Sequence, residues 1–215
     1  MHFHIISLFP KAFDSYLGES ILKRAIEDKK IKVSFYNPRD FVENKWKRVD
    51  RPPYGGGPGL VIEAMPVVKA IEAALRRSSK QPAKIIWLSP RGKQFTNEYA
   101  NKTAKKYKNI ILVCGRYEGI DARVKKIFKM DEVSVGPFVS TGGELPAMLI
   151  MDVISRQVGG VLGNIDSLEE RRVSTGEVYT RPEKLTYKGR SYAVPKVLLS
   201  GHRAKIEAWK KKKGK

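Results

Sequence analysis

Apolar positions along the chain alternate between short continuous runs and stretches where they recur every three or four residues. Residues 2–7 read as a first strand, and Pro10 and Lys11 open a helix carrying Phe13, Tyr16 and Leu17. Ser20 then precedes Ile21, Leu22, Ala25 and Ile26 at helical spacing. Residues 31–36 are a second strand. Pro66 suits a first helical turn, and Val67, Val68, Ala70, Ile71, Ala74 and Leu75 give that helix a wide apolar stripe. Residues 84–88 predict a strand ending in the turn Ser89-Pro90-Arg91-Gly92, and a helix follows over residues 97–107. Strands at 110–113 and 132–135 flank a short helix marked by Ile120, Val124, Ile127 and Phe128. Residues 147–158 are apolar on nearly all sides, as in a helix buried over most of its surface. Regular alternation of strand and helix predicts an α/β fold with a mainly parallel sheet.

Two of these strands end in glycine-rich loops. The first is Gly115-Arg116-Tyr117-Glu118-Gly119; the second runs from Gly136-Pro137-Phe138-Val139-Ser140-Thr141 through Gly142-Gly143-Glu144-Leu145-Pro146. In open α/β sheets ligands bind outside the carboxyl ends of strands, and glycine lets main-chain groups approach a ligand closely. Turn punctuation alone would use the same glycines. No G-x-G-x-x-G follows a strand and no G-x-x-x-x-G-K-[ST] occurs, which argues against a dinucleotide enzyme of the Rossmann type and a P-loop NTPase. A third loop, Pro52-Pro53-Tyr54-Gly55-Gly56-Gly57-Pro58-Gly59, can continue neither helix nor strand.

Composition narrows the function. The 215 residues are 41% apolar and 30% charged, enough for one main domain and a small appendage. No apolar window is long enough to span a membrane and the first residues lack a secretion signal, so the expected location is cytoplasmic. Cys114 is the single cysteine, which removes an intramolecular disulfide and a cysteine zinc site; at the end of an apolar strand it reads as a small hydrophobe. The 42 Lys and Arg outnumber the 22 Asp and Glu, a formal charge of +20, which predicts an anionic partner, nucleic acid first. Trp46 sits among Lys45, Lys47 and Arg48; an aromatic flanked by cations suits stacking on a base and also suits packing on its own domain. Asp152 and Arg156, at i and i+4, interrupt the apolar helix and fit a helix-stabilising pair.

Three segments follow. Residues 1–163 form the main domain, and residues 164–178, NIDSLEERRVSTGEV, have no hydrophobic period and read as a lid or linker. Residues 179–215 form a small basic helical region ending in a lysine-rich tail.

The strings CGRYEGID (114–121), V-G-x-x-V-x-x-GGELPAM (135–148), IISLFP (5–10), PYGGGPG (53–59) and YTRPE (179–183) occur in one order. Together they resemble the bacterial tRNA (guanine-N1)-methyltransferases of the TrmD family, within the SPOUT class. The resemblance implies an α/β domain with a deep trefoil knot on its carboxyl side, a feature that general topology rules would never predict. It implies methyl transfer from S-adenosylmethionine, with S-adenosylhomocysteine as product, to N1 of the guanosine next to the anticodon of tRNA. It also implies a homodimer whose sites are shared between subunits, and magnesium as a possible requirement, although the sequence has no dedicated metal-ligand cluster. A SPOUT enzyme acting on another RNA such as ribosomal RNA, and an RNA-binding protein without catalysis, are the alternatives.

Carried over by motif, the cofactor pocket comprises Leu88, Ser89 and Pro90, then Gly115, Arg116, Tyr117 and Glu118. It continues with Ser134, Val135, Gly136, Pro137, Phe138, Val139 and Ser140, and closes with Gly142, Gly143, Leu145 and Pro146. Where the family often has Tyr-Val-Leu-Ser-Gly-Gly, this chain has Phe138-Val139-Ser140-Thr141-Gly142-Gly143, losing a hydroxyl and a leucine wall. Arg156 matches the family arginine that stabilises charge on guanine O6, and Glu118 would position substrate and cofactor. The lid departs from the family's Asp-Ser-Phe or Asp-Ser-His pattern. Spacing selects Glu170 as general base, the Asp-Ser pair selects Asp166, and Glu169 is third.

Overall fold

A computed structural model describes residues 1–78, 81–163 and 177–213. The chain divides into two compact units, Met1–Leu162 and Gly163–Lys215.

In the first unit, β1 (His2–Ile6) leads through a 3-10 turn at Pro10–Phe13 into the short helices α1 (Asp14–Leu17) and α2 (Ser20–Glu27). After β2 (Lys32–Tyr36) come a second 3-10 turn, Pro38–Phe41, and a ribbon of β3 (Asp50–Arg51) and β4 (Val61–Ile62). The chain continues through α3 (Ala64–Arg77), β5 (Ala83–Gln94), α4 (Asn97–Lys106) and β6 (Asn109–Val113). It ends with α5 (Arg123–Ile127), β7 (Asp131–Ser134) and α6 (Glu144–Arg156).

Five of these strands form one parallel sheet in the order β2-β1-β6-β5-β7. Parallel strands covered on both faces carry apolar residues at successive positions, and that is why β6 reads as one unbroken run. Phe3, Ile5, Ile86, Ile110 and Leu112 pack on one face with α2, α4 and α6. Ile6, Ile85, Trp87, Ile111 and Val113 pack on the other with α3 and α5. Ile111 and Leu112 are fully buried, so alanine at either costs about 2–5 kcal/mol.

Most boundaries shift by only a residue or two, and two larger shifts bear on the site. β5 does not stop at Leu88 but runs to Gln94, and Leu88 and Lys93 both pair with Val133, so residues 89–92 leave the register as a bulge. The turn signal in Ser89-Pro90-Arg91-Gly92 is real, but it marks this bulge instead of a strand end. Gly92 is required there because a Cβ would meet the backbone of Val133 and Glu132. α6 starts at Glu144, ahead of Pro146, since a proline in the first helical turn lacks only an N–H that has no intrahelical partner.

The second unit, read from sequence as helical, contains a hairpin of β8 (Lys184–Tyr187) and β9 (Arg190–Ala193) before α7 (Lys196–Leu199) and α8 (Arg203–Lys213). Lys188 and Gly189 turn it with φ of 48° and 73°, the positive pair that a two-residue hairpin needs. Lys-Gly is a weak form of the usual Asn-Gly signal, so the sequence does not mark the hairpin. No helix among the described residues is long and apolar enough to cross a membrane.

Candidate active site

Because the sheet is parallel, β5, β6 and β7 deliver their following segments to one edge, and these enclose a cavity of about 550 Å³. That volume lies within the range of small-molecule sites. Leu88, Val135, Phe138 and Pro146 form apolar walls, while Gly115, Gly142 and Gly143 present backbone.

The glycines allow the two loops to touch. Gly143 N–H donates to the Gly115 carbonyl at 2.9 Å, and Arg116 makes a bridge with Gly142. A Cβ on Gly143 would come within 2.6 Å of the Cys114 Cα, and one on Gly142 would strike the Arg116 side chain. Simple turn punctuation would not require this apposition. Tyr117 and Gly119 adopt φ of 58° and 122°, folding the first loop back so that the Glu118 N–H donates to the Leu60 carbonyl at 3.0 Å. Gly59 ends the proline-glycine loop directly against the Glu118 side chain.

Ser89, Pro90, Arg116, Tyr117, Glu118, Ser134, Val139 and Ser140 also line the cavity. Gly136, Pro137 and Leu145 do not; Gly136 lies under the Phe138 ring and Leu145 is exposed. The sequence reading missed a polar wall of Arg91, Lys125 and Glu132. Lys125 Nζ lies 3.0 Å from Glu132 Oε2 and over the Trp87 ring. Burial pushes the Glu132 carboxyl up, but the Ser89 hydroxyl, Lys125 and Arg91 outweigh it and hold the group below its ordinary value. No local pattern could have found this wall, since Trp87 meets Glu132 only through the pairing of β5 with β7.

Glu144 anchors the second loop. It is 2% exposed; its Oε2 accepts from Arg116 Nε at 2.8 Å and its Oε1 from the Ser7 hydroxyl at 2.7 Å. Burial, and then Glu144, push the Cys114 thiol well above its ordinary value, so it stays protonated and packs as a small hydrophobe.

Arg156 stands apart from this cavity. At about 1.5 Å per residue, α6 puts it about 18 Å from Glu144. The expected Asp152–Arg156 pair does not form; Asp152 instead acts on the Tyr16 hydroxyl, whose pKa is raised by burial and then by the Asp152 charge. The Arg156 side chain makes no ion pair or hydrogen bond with another described residue. Asp166, Glu169 and Glu170 lie outside the described residues. Among the described residues, no cluster of three or more His, Cys, Asp or Glu could hold a metal.

A doubly covered parallel sheet with glycine loops around one cavity at its carboxyl edge defines an α/β protein built to hold a small molecule there. The family model described as tRNA (Guanine-1)-methyltransferase TrmD matches residues 1–215, and the chain belongs to that family. It is 44% identical over 214 residues to the tRNA (guanine-N(1)-)-methyltransferase of Pseudoalteromonas atlantica, covering 98% of this chain and 78% of that protein. Proteins of the same name from Desulforamulus reducens and Clostridioides difficile are 40% and 42% identical; the matches cover 99% and 98% of this chain and 83% and 91% of theirs.

Proposed function

We propose that the protein transfers a methyl group from S-adenosylmethionine to N1 of the guanosine next to the anticodon of tRNA. The observation that carries this reading is the cavity between the glycine loops, in a chain that matches the family over its whole length. The residues fit the donor: Leu88, Val135, Phe138 and Pro146 can wall an adenine ring, and the backbone of residues 115 and 142–143 can read its polar edge.

Neutral guanine carries a proton on N1, so a base must remove it while negative charge develops toward O6. N1 bonds to the methyl carbon as the carbon–sulfur bond breaks, the electron pair staying on sulfur in S-adenosylhomocysteine. The proton goes to a carboxylate among Glu170, Asp166 and Glu169. Arg156, permanently charged, stabilises O6. Glu118 and Arg116 position the two substrates.

Arg156 would reach such a site from a second copy of the chain, and its distance along α6 from the cavity supports a homodimer with shared sites. A trefoil knot accords with β6 and β7 flanking β5 and with residues 142–143 returning to Gly115 and Arg116. Such an enzyme works in the cytoplasm.

Incubation with labelled S-adenosylmethionine and tRNA transcripts with and without that guanosine tests the proposal. Label should enter only the transcript carrying it. Transfer to both or to neither rejects the assignment, and failure to bind the donor would leave an RNA-binding protein.

A further inference from the structure

Ser7, just past the carboxyl end of β1, and Glu144, at the start of α6 where the second loop ends, are not among the residues expected to line the donor pocket. They are nevertheless buried and joined to the cavity by one side chain. The Ser7 Oγ accepts from the Phe9 N–H at 2.9 Å and donates to Glu144 Oε1 at 2.7 Å. Glu144 Oε2 accepts from Arg116 Nε at 2.8 Å, and Arg116 Nη1 donates to the Thr141 carbonyl at 3.4 Å. The guanidinium lies 4.6 Å from the centroid of the Phe9 ring.

Arg116 is thus held on several sides: a carboxylate behind it, an aromatic face against it, and Gly142 pressed on its stem. A guanidinium has five N–H donors. Two are used in these bonds, and the side chain, 25% exposed, lines the cavity. The remaining donors suit an oxygen of an incoming nucleotide, carbonyl or phosphate. Ser7 gives Glu144 Oε1 a donor at a position closed to water, so loss of the hydroxyl leaves a buried carboxylate oxygen unpaired. Glu144 would then shift, and Arg116 with it.

We propose that Ser7 and Glu144 are positioning residues that set the Arg116 guanidinium at the cavity, and so the alignment of the nucleotide with the methyl donor. The inference rests on the methyltransferase reading above. Misplacement of a reacting group by about 1 Å can cost a factor of about 100, so a partial release of Arg116 should cost about tenfold in rate.

The test is single-turnover methyl transfer with donor and tRNA saturating, together with donor affinity by calorimetry. Ser7→Ala should lose about tenfold in rate, with donor affinity within about twofold of wild type. Ser7→Cys fills the site with a slightly larger, poorly donating thiol; it should be as slow as Ser7→Ala, whereas a role in filling space alone would leave it faster than Ser7→Ala. In an Arg116→Lys background, Ser7→Ala should add little, since residues acting through one group are not additive. A normal rate in Ser7→Ala, a rate in Ser7→Cys above that of Ser7→Ala, or fully multiplicative losses each overturns the inference while the methyltransferase reading stands. If wild type transfers no methyl to any tRNA, both fall together. Glu144→Gln, where it folds, should resemble Ser7→Ala.

Discussion

His2 lies over His4 with ring centroids 3.8 Å apart at the edge where β1 begins. His2 Nε2 bonds to Ser34 Oγ at 2.9 Å; His4 bonds to Tyr36 OH at 3.0 Å through Nδ1 and to Asn109 Oδ1 at 3.1 Å through Nε2. Burial, then His4, Lys32, Arg77 and the amino terminus, lower the His2 pKa to about 4. Burial also lowers that of His4, opposed by Asn109 and reinforced by Arg77 and Lys32.

His2 is therefore neutral in the folded state over a range where an unfolded chain, with a pKa near 6.5, would protonate, and His4 shifts in the same direction. The unfolded state binds more protons between pH 6.5 and 4, so stability is complete above that window and falls as pH drops through it. Discounted for solvent screening at the partly buried His2, the effect is about 1 kcal/mol, or about 2–4 °C in Tm. Thermal melts from pH 7 to 4 should show this decline, and His2→Asn should flatten it. A variant as steep as wild type would place the sensitivity elsewhere.

Gly142 tests the proposed placement of the donor. A side chain there would collide with Arg116 Cδ and Cζ at 2.6 and 2.7 Å, forcing apart the two loops that form the cavity. Gly142→Val should lower donor affinity more than about tenfold by calorimetry while far-UV dichroism stays unchanged, since β6 and α6 keep their own packing. Unchanged affinity would move the donor away from these loops.

These two sites differ in how far the sequence exposes them. Gly142 and Gly143 stand out as a glycine pair in a loop between a strand and a helix, and the contacts they permit lie within one loop pair. Strand order was less legible: β6 inserts between β1 and β5, a choice that no periodicity encodes. Lys125 and Glu132 were invisible, since each looks like an ordinary charged residue until β7 pairs with β5. Asp152 and Arg156 had the right spacing for a pair, but the aspartate lies where its charge acts on Tyr16, far away in sequence. Local rules thus recovered the elements, and they failed where a partner is chosen by tertiary contact.

Trp46 resolves an ambiguity of that kind. It is 81% exposed, with Lys45 Nζ 5.6 Å from its ring centroid. Packing on its own domain is therefore excluded, and the ring is free to stack on a base. The Asn44 side chain holds the loop by accepting from the Arg48 N–H at 2.8 Å and donating to the Arg48 carbonyl at 2.9 Å. Base stacking is worth about 1–3 kcal/mol, so Trp46→Ala should weaken tRNA binding about tenfold in filter assays, with Trp46→Phe retaining most of the affinity. Equal affinity in the alanine variant would leave the ring without a role in RNA binding.

With a charge of +20, tRNA affinity should fall steeply with salt, because each phosphate contact releases counterions. Deleting residues 210–215, which include five lysines, should lower affinity modestly and reduce the slope of log affinity against log salt. A slope equal to that of the intact protein would show those lysines to be merely solvated.

The general base is the remaining assignment, and it falls on residues outside the described structure. Counting from Gly163 and Asn164 with Ser167 as anchor puts the family aspartate near Glu170 and Arg171, whereas matching the Asp-Ser pair selects Asp166. Glu170 brings its carboxylate one methylene further; Asp166 keeps the family side chain but needs a shift of the segment. An ordinary carboxylate, with a pKa of about 4, is ionised at neutral pH and could take the N1 proton under the proposed mechanism, in which Arg156 stabilises O6. Alanine at Glu170, Asp166 and Glu169, each tested in single turnover with donor and tRNA saturating, should give one large loss, about 100-fold or more, with binding intact. Spacing favours Glu170. The same variant should lose the rise in rate with pH that titration of the base gives wild type, which separates a lost base from a disturbed segment. Near-normal rates in all three would exclude a carboxylate of this segment as the proton acceptor.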